Sequence, residues 1–151
     1  MIRDRHPLLP HLLTILEAAR RSVVISRPEA ILPLFDTEDA ISELVRVAKR
    51  APQTGIRVLM RQYEATLVEG SRFMYAMQRM PTKAECRLLE EHPERRSETM
   101  VLVDEEVGLI IHSKTRRPLH LNERRQVKTR LTRFDALWDV AHPSSEMRRL
   151  R

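Results

Sequence analysis

The sequence predicts a mixed α/β fold, a mostly parallel sheet flanked by helices, and three observations carry that expectation. Short β-branched runs alternate with helix-length amphipathic stretches through the first half of the chain. Two further strand-like runs, "TMVLVD" and "VGLIIH", then follow each other across Glu105 and Glu106, too closely for anything but a hairpin. Only three glycines occur in 151 residues, which leaves long stretches free to be helical.

The elements follow in order. Leu9, Leu12, Leu13, Leu16 and Ala19 recur at helical spacing, and "SVVIS" (22–26) is the first buried strand. After the proline-marked loop "RPEAILPLF", Asp36 is the expected cap of a helix striped by Ile41, Leu44, Val45 and Ala48, which ends before Pro52. "IRVLM" (56–60) is the second strand. Residues 63–80 read as a third helix with Leu67, Met74, Met77 and Met80 inward, although Gly70 falls in its middle; the methionines read as flexible core filler rather than a cofactor pocket. "CRLLEE" is a third strand, the hairpin follows, and Asn122 is the expected cap of the last helix. There Val127, Leu131, Phe134, Trp138 and Ala141 fall at alternating steps of four and three, so Trp138 reads as a core anchor rather than a base-stacking platform. Strands separated by helices imply parallel pairing with right-handed crossovers, and the hairpin adds an antiparallel part.

Bulk properties narrow the class. A chain of 151 residues suits a single domain spanning 1–151, with 143–151 expected to be a mobile tail. The segment "HLLTILEAARR" is broken by Thr14 and Glu17 and reads as an amphipathic helix rather than a signal peptide. No run approaches the roughly 20 apolar residues of a membrane span. With Cys86 the one cysteine, neither an intramolecular disulfide nor a thiolate metal cluster can form, and a reducing, cytoplasmic setting is the expectation. The six histidines lack zinc-site spacing, and Gly55, Gly70 and Gly108 stand alone, so no glycine-rich phosphate loop exists; no metal and no cofactor are expected.

The order of strands and helices, with a hairpin whose first strand ends in "VLVDEEVGLI", is similar to one half of the phospholipase D-like fold. Active members of that family carry a histidine, any residue, a lysine, four residues and an aspartate leading into such a turn. The resemblance implies a histidine nucleophile that takes up the phosphoryl group and a lysine that clamps its oxygens. With Asp104 on the aspartate, Ser97 stands at the histidine position and Thr99 at the lysine position, so both catalytic side chains are missing. The close of the chain, "RFDALWDVAHPSSEMRRL", is similar to that of an uncharacterised set of bacterial phospholipase D-like domains sometimes joined to acetyltransferase domains. What the resemblance implies is a catalytically inactive binding or scaffolding module, and a homodimer, because active members pair two halves.

One other pair has the motif's first spacing. His112 and Lys114 are two apart, but the residue five beyond Lys114 is Leu119, and the pair follows the hairpin's second strand. It reads as a polar strand end entering a basic loop; the enzyme alternative is a phosphodiesterase using His112 and Lys114.

Charge is uneven along the chain. Residues 1–106 carry 16 basic and 17 acidic side chains, whereas 107–151 carry 11 and 4. Arg116, Arg117, Arg124, Arg125 and Lys128 are the candidate contacts of a polyanion, which makes nucleic acid, or an acidic protein, the alternative partner. Aromatic residues are 4% of the chain and none lies in the basic loop, which disfavours single-strand stacking.

Overall fold

The computed structural model describes residues 6–61, 70–90, 98–112, 114, 115 and 117–143. The elements are α1 (Leu9–Ala18), β1 (Val23–Ser26), a 3-10 turn (Pro28–Ile31) running into the single-turn α2 (Leu32–Phe35), α3 (Glu38–Arg50), β2 (Ile56–Met60), α4 (Ser71–Gln78), β3 (Ala84–Leu88), β4 (Glu98–Val103), β5 (Val107–His112), β6 (Pro118–Leu121), α5 (Arg124–Val140) and β7 (His142–Pro143). The strands form one mixed sheet in the order β6-β5-β4-β1-β2-β3-β7. Its centre, β1, β2 and β3, is parallel, and antiparallel strands extend it on both sides. The parallel centre and the β4–β5 hairpin follow the sequence expectation. The antiparallel share is larger than expected because β6 and β7 join the edges, and neither four-residue nor two-residue strand leaves a periodicity long enough to read.

Alternation along each strand divides the apolar side chains between two faces. Val23, Ile25, Ile56, Val58, Val101 and Leu109 point into a core shared with α1, α2, α3 and α4. Val24, Leu59, Leu102, Ile110 and Leu121 point the other way, onto the stripe of α5 formed by Val127, Leu131, Phe134, Trp138 and Ala141. Trp138 is thus a core anchor. Two strand arginines flank it: Arg57 lies 5.0 Å from the Phe134 ring centre and 5.6 Å from that of Trp138, and Arg87 lies 4.4 Å from Trp138. Arg57 also pairs with Asp135 at 2.9 Å, and Arg87 donates to the Trp138 carbonyl at 2.8 Å, so this helix is tied to β2 and β3 through polar as well as apolar contacts.

Several local expectations are corrected. Thr37, not Asp36, caps α3, its hydroxyl accepting from Ala40 N at 3.3 Å; the Asp36 carboxylate instead accepts from Phe73 N at 2.8 Å, at the start of α4. Asn122 is not the cap of α5, which begins after Glu123 with no side-chain cap. The proline-marked segment is not a loop throughout, since prolines at helix first turns start the 3-10 turn and α2. Gly70 is the boundary of α4 rather than its middle; Met74 and Met77 are buried and Met80 half-buried, whereas Leu67 and the rest of 62–69 lie outside the described residues. The inner face of α3 is Ala40, Leu44, Val47 and Ala48, which turns Ile41 and Val45 toward the flank. The expected tail beyond Pro143 also lies outside the described residues.

Candidate functional site

The parallel strands β1, β2 and β3 end beside the start of antiparallel β4, so the chain there gathers Arg27, Arg61 and Thr99 at one end of the sheet. Thr99 is fully buried, and its hydroxyl donates to the Arg27 carbonyl at 2.6 Å. Arg27 is itself buried, adopts a left-handed backbone (φ 56°) and donates its N–H to the Leu59 carbonyl at 2.8 Å. Two residues on, Glu29 accepts from the Arg61 backbone N–H, and Arg61 Nε donates to the Glu90 carbonyl at 3.2 Å. A threonine at this position spends its one donor inside the fold. Ser97 lies outside the described residues.

Asp104 stands at the opposite end of β4, in the hairpin turn. Asp104 and Glu105 both take left-handed conformations (φ 54° and 60°), and Glu106 N donates to the Val103 carbonyl at 3.0 Å, as in the tight turns that match strand twist. The Asp104 carboxylate reaches back 82 to 84 residues, accepting from Ser22 N at 2.9 Å and Arg21 N at 2.7 Å on one oxygen and from Arg20 N at 2.9 Å on the other. Three backbone donors between α1 and β1 therefore share one carboxylate. Aspartate both tolerates the left-handed backbone and supplies the acceptors.

His112 faces Glu98 across the β4–β5 ladder and so shares its face of the sheet, the α5 face; Thr99, the next residue, points to the other. Glu98 is paired there with Arg130 at 3.5 Å. β5 ends at His112, and Lys114 belongs to an exposed turn, so the two are not successive side chains on one strand face. His112 and Lys114 are thus not brought together as a strand-borne pair.

The basic candidates divide by position. Arg117 is exposed before β6, and Arg116 lies outside the described residues. Arg124, Arg125 and Lys128 are exposed on the first turns of α5 and, with Thr129 and Thr132, line a shallow basin of about 440 Å³. Arg124 has Glu106 at 3.3 Å, both well exposed, an interaction that water largely screens. α5 has no acid in its first turn and no base in its last, and Asp135 and Asp139 lie toward its end. That is the reverse of what the helix dipole favours. Sequence reading found these residues through their density; their shared basin depends on which side of α5 the sheet covers.

Among the described residues no group of three or more His, Cys, Asp and Glu side chains is placed to hold a metal, and no helix is long and apolar enough to cross a membrane. Cys86 is buried in β3, and its thiol is pushed up to about 12 by burial, with Glu85 adding to the shift. A thiol so protonated is a poor nucleophile. Sequence reading passed over Arg46, whose guanidinium donates to the Leu16, Glu17 and Ala19 carbonyls at the end of α1; its role there is structural.

A family model described as a domain of unknown function, DUF7931, matches residues 4–150. The chain belongs to the DUF7931 family. No curated relative matches it. Among solved structures, this DUF7931 chain is similar to a phospholipase D family member, Nuc from Salmonella typhimurium, with a TM-score of 0.63 and 13% identity over 89% of this chain and 88% of that one. The two share a fold. At that identity the likeness extends to architecture and no further, and the sequence resemblance to the phospholipase D-like fold is met at that level.

Proposed function

We propose that this chain is a non-hydrolytic phospholipase D-like module, one that binds or scaffolds rather than cleaves. The observation that carries the reading is Thr99: at the position the resemblance gives to the phosphate-clamping lysine stands a fully buried hydroxyl already donated to the Arg27 carbonyl. No cation projects from that position, and clamping phosphoryl oxygens is what it would have to do. Asp104 fits the same reading, since its carboxylate serves three backbone amides of the fold. Pairing of two copies and a cytoplasmic location belong to the proposal, the first answerable by sedimentation.

The test is turnover. Purified protein is incubated with bis(4-nitrophenyl) phosphate and with short DNA, beside His112→Ala and Lys114→Ala variants. Release no faster than without protein is expected of all three. Saturable hydrolysis that disappears in His112→Ala would establish the phosphodiesterase alternative instead.

A second reading has its own support, the basin on α5. Basic side chains crowd the end of the helix where its dipole is already positive, a placement that does nothing for helix stability and favours an anion. Under this reading the ligand is a nucleic-acid backbone held by Arg117, Arg124, Arg125 and Lys128, with Arg116 beside them in sequence. Labelled DNA and RNA in a salt series decide it: binding must weaken steeply with salt and be lost in Arg124→Glu/Arg125→Glu/Lys128→Glu. Affinity unchanged by that triple reversal would remove the helix from consideration.

A further inference from the structure

A second concave surface lies between α3 and α4, with none of the strand-end or α5 residues in it. α3 fills the core with Ala40, Leu44, Val47 and Ala48, leaving Ile41 and Val45, one turn apart, half-buried on its flank. α4 buries Phe73, Met74 and Met77 and leaves Ala76 and Met80 half-buried beside them. Together Ile41, Val45, Ala76 and Met80 floor a groove of about 670 Å³. This is apolar surface that none of the described residues covers.

Its rim is cationic. Lys49, Arg72 and Arg79 are exposed along the edges, and no carboxylate is among the described lining residues. Tyr75 stands 58% exposed at the lip, and Arg79 holds it, donating to the phenol oxygen at 2.8 Å with the guanidinium 5.4 Å from the ring centre. An exposed aromatic already fixed by a neighbour loses little freedom on binding. Ile41 to Lys49 on one wall and Ser71 to Arg79 on the other each extend about 12 Å at 1.5 Å per residue, two turns of helix. The dimensions and chemistry therefore fit an amphipathic helix with an apolar stripe flanked by carboxylates.

Two other occupants fit less well. A second copy using the same groove across a two-fold axis would set one cationic rim against the other. A bilayer surface engages convex or flat apolar patches, whereas this one is recessed. We propose that the α3–α4 groove docks an acidic amphipathic helix of a protein partner. The inference is independent of whether the chain cleaves diesters.

The test uses a fluorescein-labelled peptide of about 16 residues, long enough to hold helix, with leucines at i, i+4, i+7 and i+11 and glutamates on both flanks. It is titrated with the full chain beside a scrambled peptide of identical composition and a version with lysine for glutamate. Anionic vesicles and the protein's own sedimentation are measured in parallel. Micromolar binding of the designed helix is expected, weaker by about tenfold or more for both control peptides and for Arg72→Glu/Arg79→Glu. Tyr75→Ala, an exposed side chain whose loss leaves the core intact, is expected to weaken it as well, with circular dichroism unchanged. Equal affinity for the scrambled peptide, binding undiminished in both variants, or no binding at millimolar peptide would overturn the proposal. So would vesicle binding or self-association that Arg72→Glu/Arg79→Glu abolishes.

Discussion

Removing the Asp104 carboxylate is expected to loosen the junction between α1 and β1, and the structure sets the size of the effect. Asp104→Ala strips acceptors from the amides of Arg20, Arg21 and Ser22. A hydrogen bond to a charged group is worth about 1.5–3 kcal/mol net when shielded, and two of these three donors are exposed, so roughly 1 kcal/mol apiece is the fair allowance. Alanine in a left-handed backbone adds about 1 kcal/mol. The total, about 3–4 kcal/mol, corresponds to a melting temperature lower by about 6–16 °C for a chain of this size. Asp104→Asn keeps one carbonyl oxygen and the tolerance for positive φ, so it loses mainly the Arg20 contact and about 1–2 kcal/mol. Urea unfolding of the three proteins, followed by circular dichroism, measures both differences. A loss under about 0.5 kcal/mol in Asp104→Ala, or asparagine more damaging than alanine, would refute the assignment of this carboxylate to the backbone.

Thr99→Val keeps the shape of a fully buried side chain but leaves the Arg27 carbonyl without its donor, and about 1–3 kcal/mol should be lost in the same urea assay, with Thr99→Ser closer to wild type. At Gly55 an added methyl would sit 2.6 Å from the Ala51 side chain, which has nowhere to go, so Gly55→Ala should cost about 1–3 kcal/mol. Gly108→Ala meets the movable ends of Leu102 and Leu121 and should cost less. Because the folded Cys86 thiol is raised from 9.0 to about 12, its contribution to stability is complete below pH 9 and falls away as pH rises toward 12, where the unfolded chain ionises first. Urea midpoints between pH 8 and 11 should therefore fall more steeply in wild type than in Cys86→Ala, and parallel slopes would contradict the burial of this thiol.

What the sequence determined by itself was every element whose apolar pattern is long enough to be unambiguous. β2 and β5 occupy the residues their β-branched runs mark, and the stripe from Val127 to Ala141 is the buried face of α5. Period and propensity act within a few residues, so they are local properties that a linear reading can see. The parallel centre also followed, because helix-separated strands have few ways to pair. Short or competing signals were not legible. β6 and β7 are strands through the neighbours they pair with, and Asp36, which looks like a cap, is claimed by the amide of Phe73, 37 residues away.

The candidate site divides in the same way. The residue types at Thr99 and Asp104 could be read along the chain, but that one hydroxyl is spent on Arg27 and one carboxylate on the turn after α1 depends on partners 72 and 82 to 84 residues distant. Likewise the run of cations at the start of α5 was plain, whereas the Ile41 and Val45 flank looked like core. Only packing decided otherwise: the rotation of α3 that best buries Leu44, Val47 and Ala48 leaves that flank beside α4, half-covered and edged with cations. A helical stripe wider than the sheet can cover is divided by tertiary geometry into interior and surface, and that division lies outside what periodicity encodes.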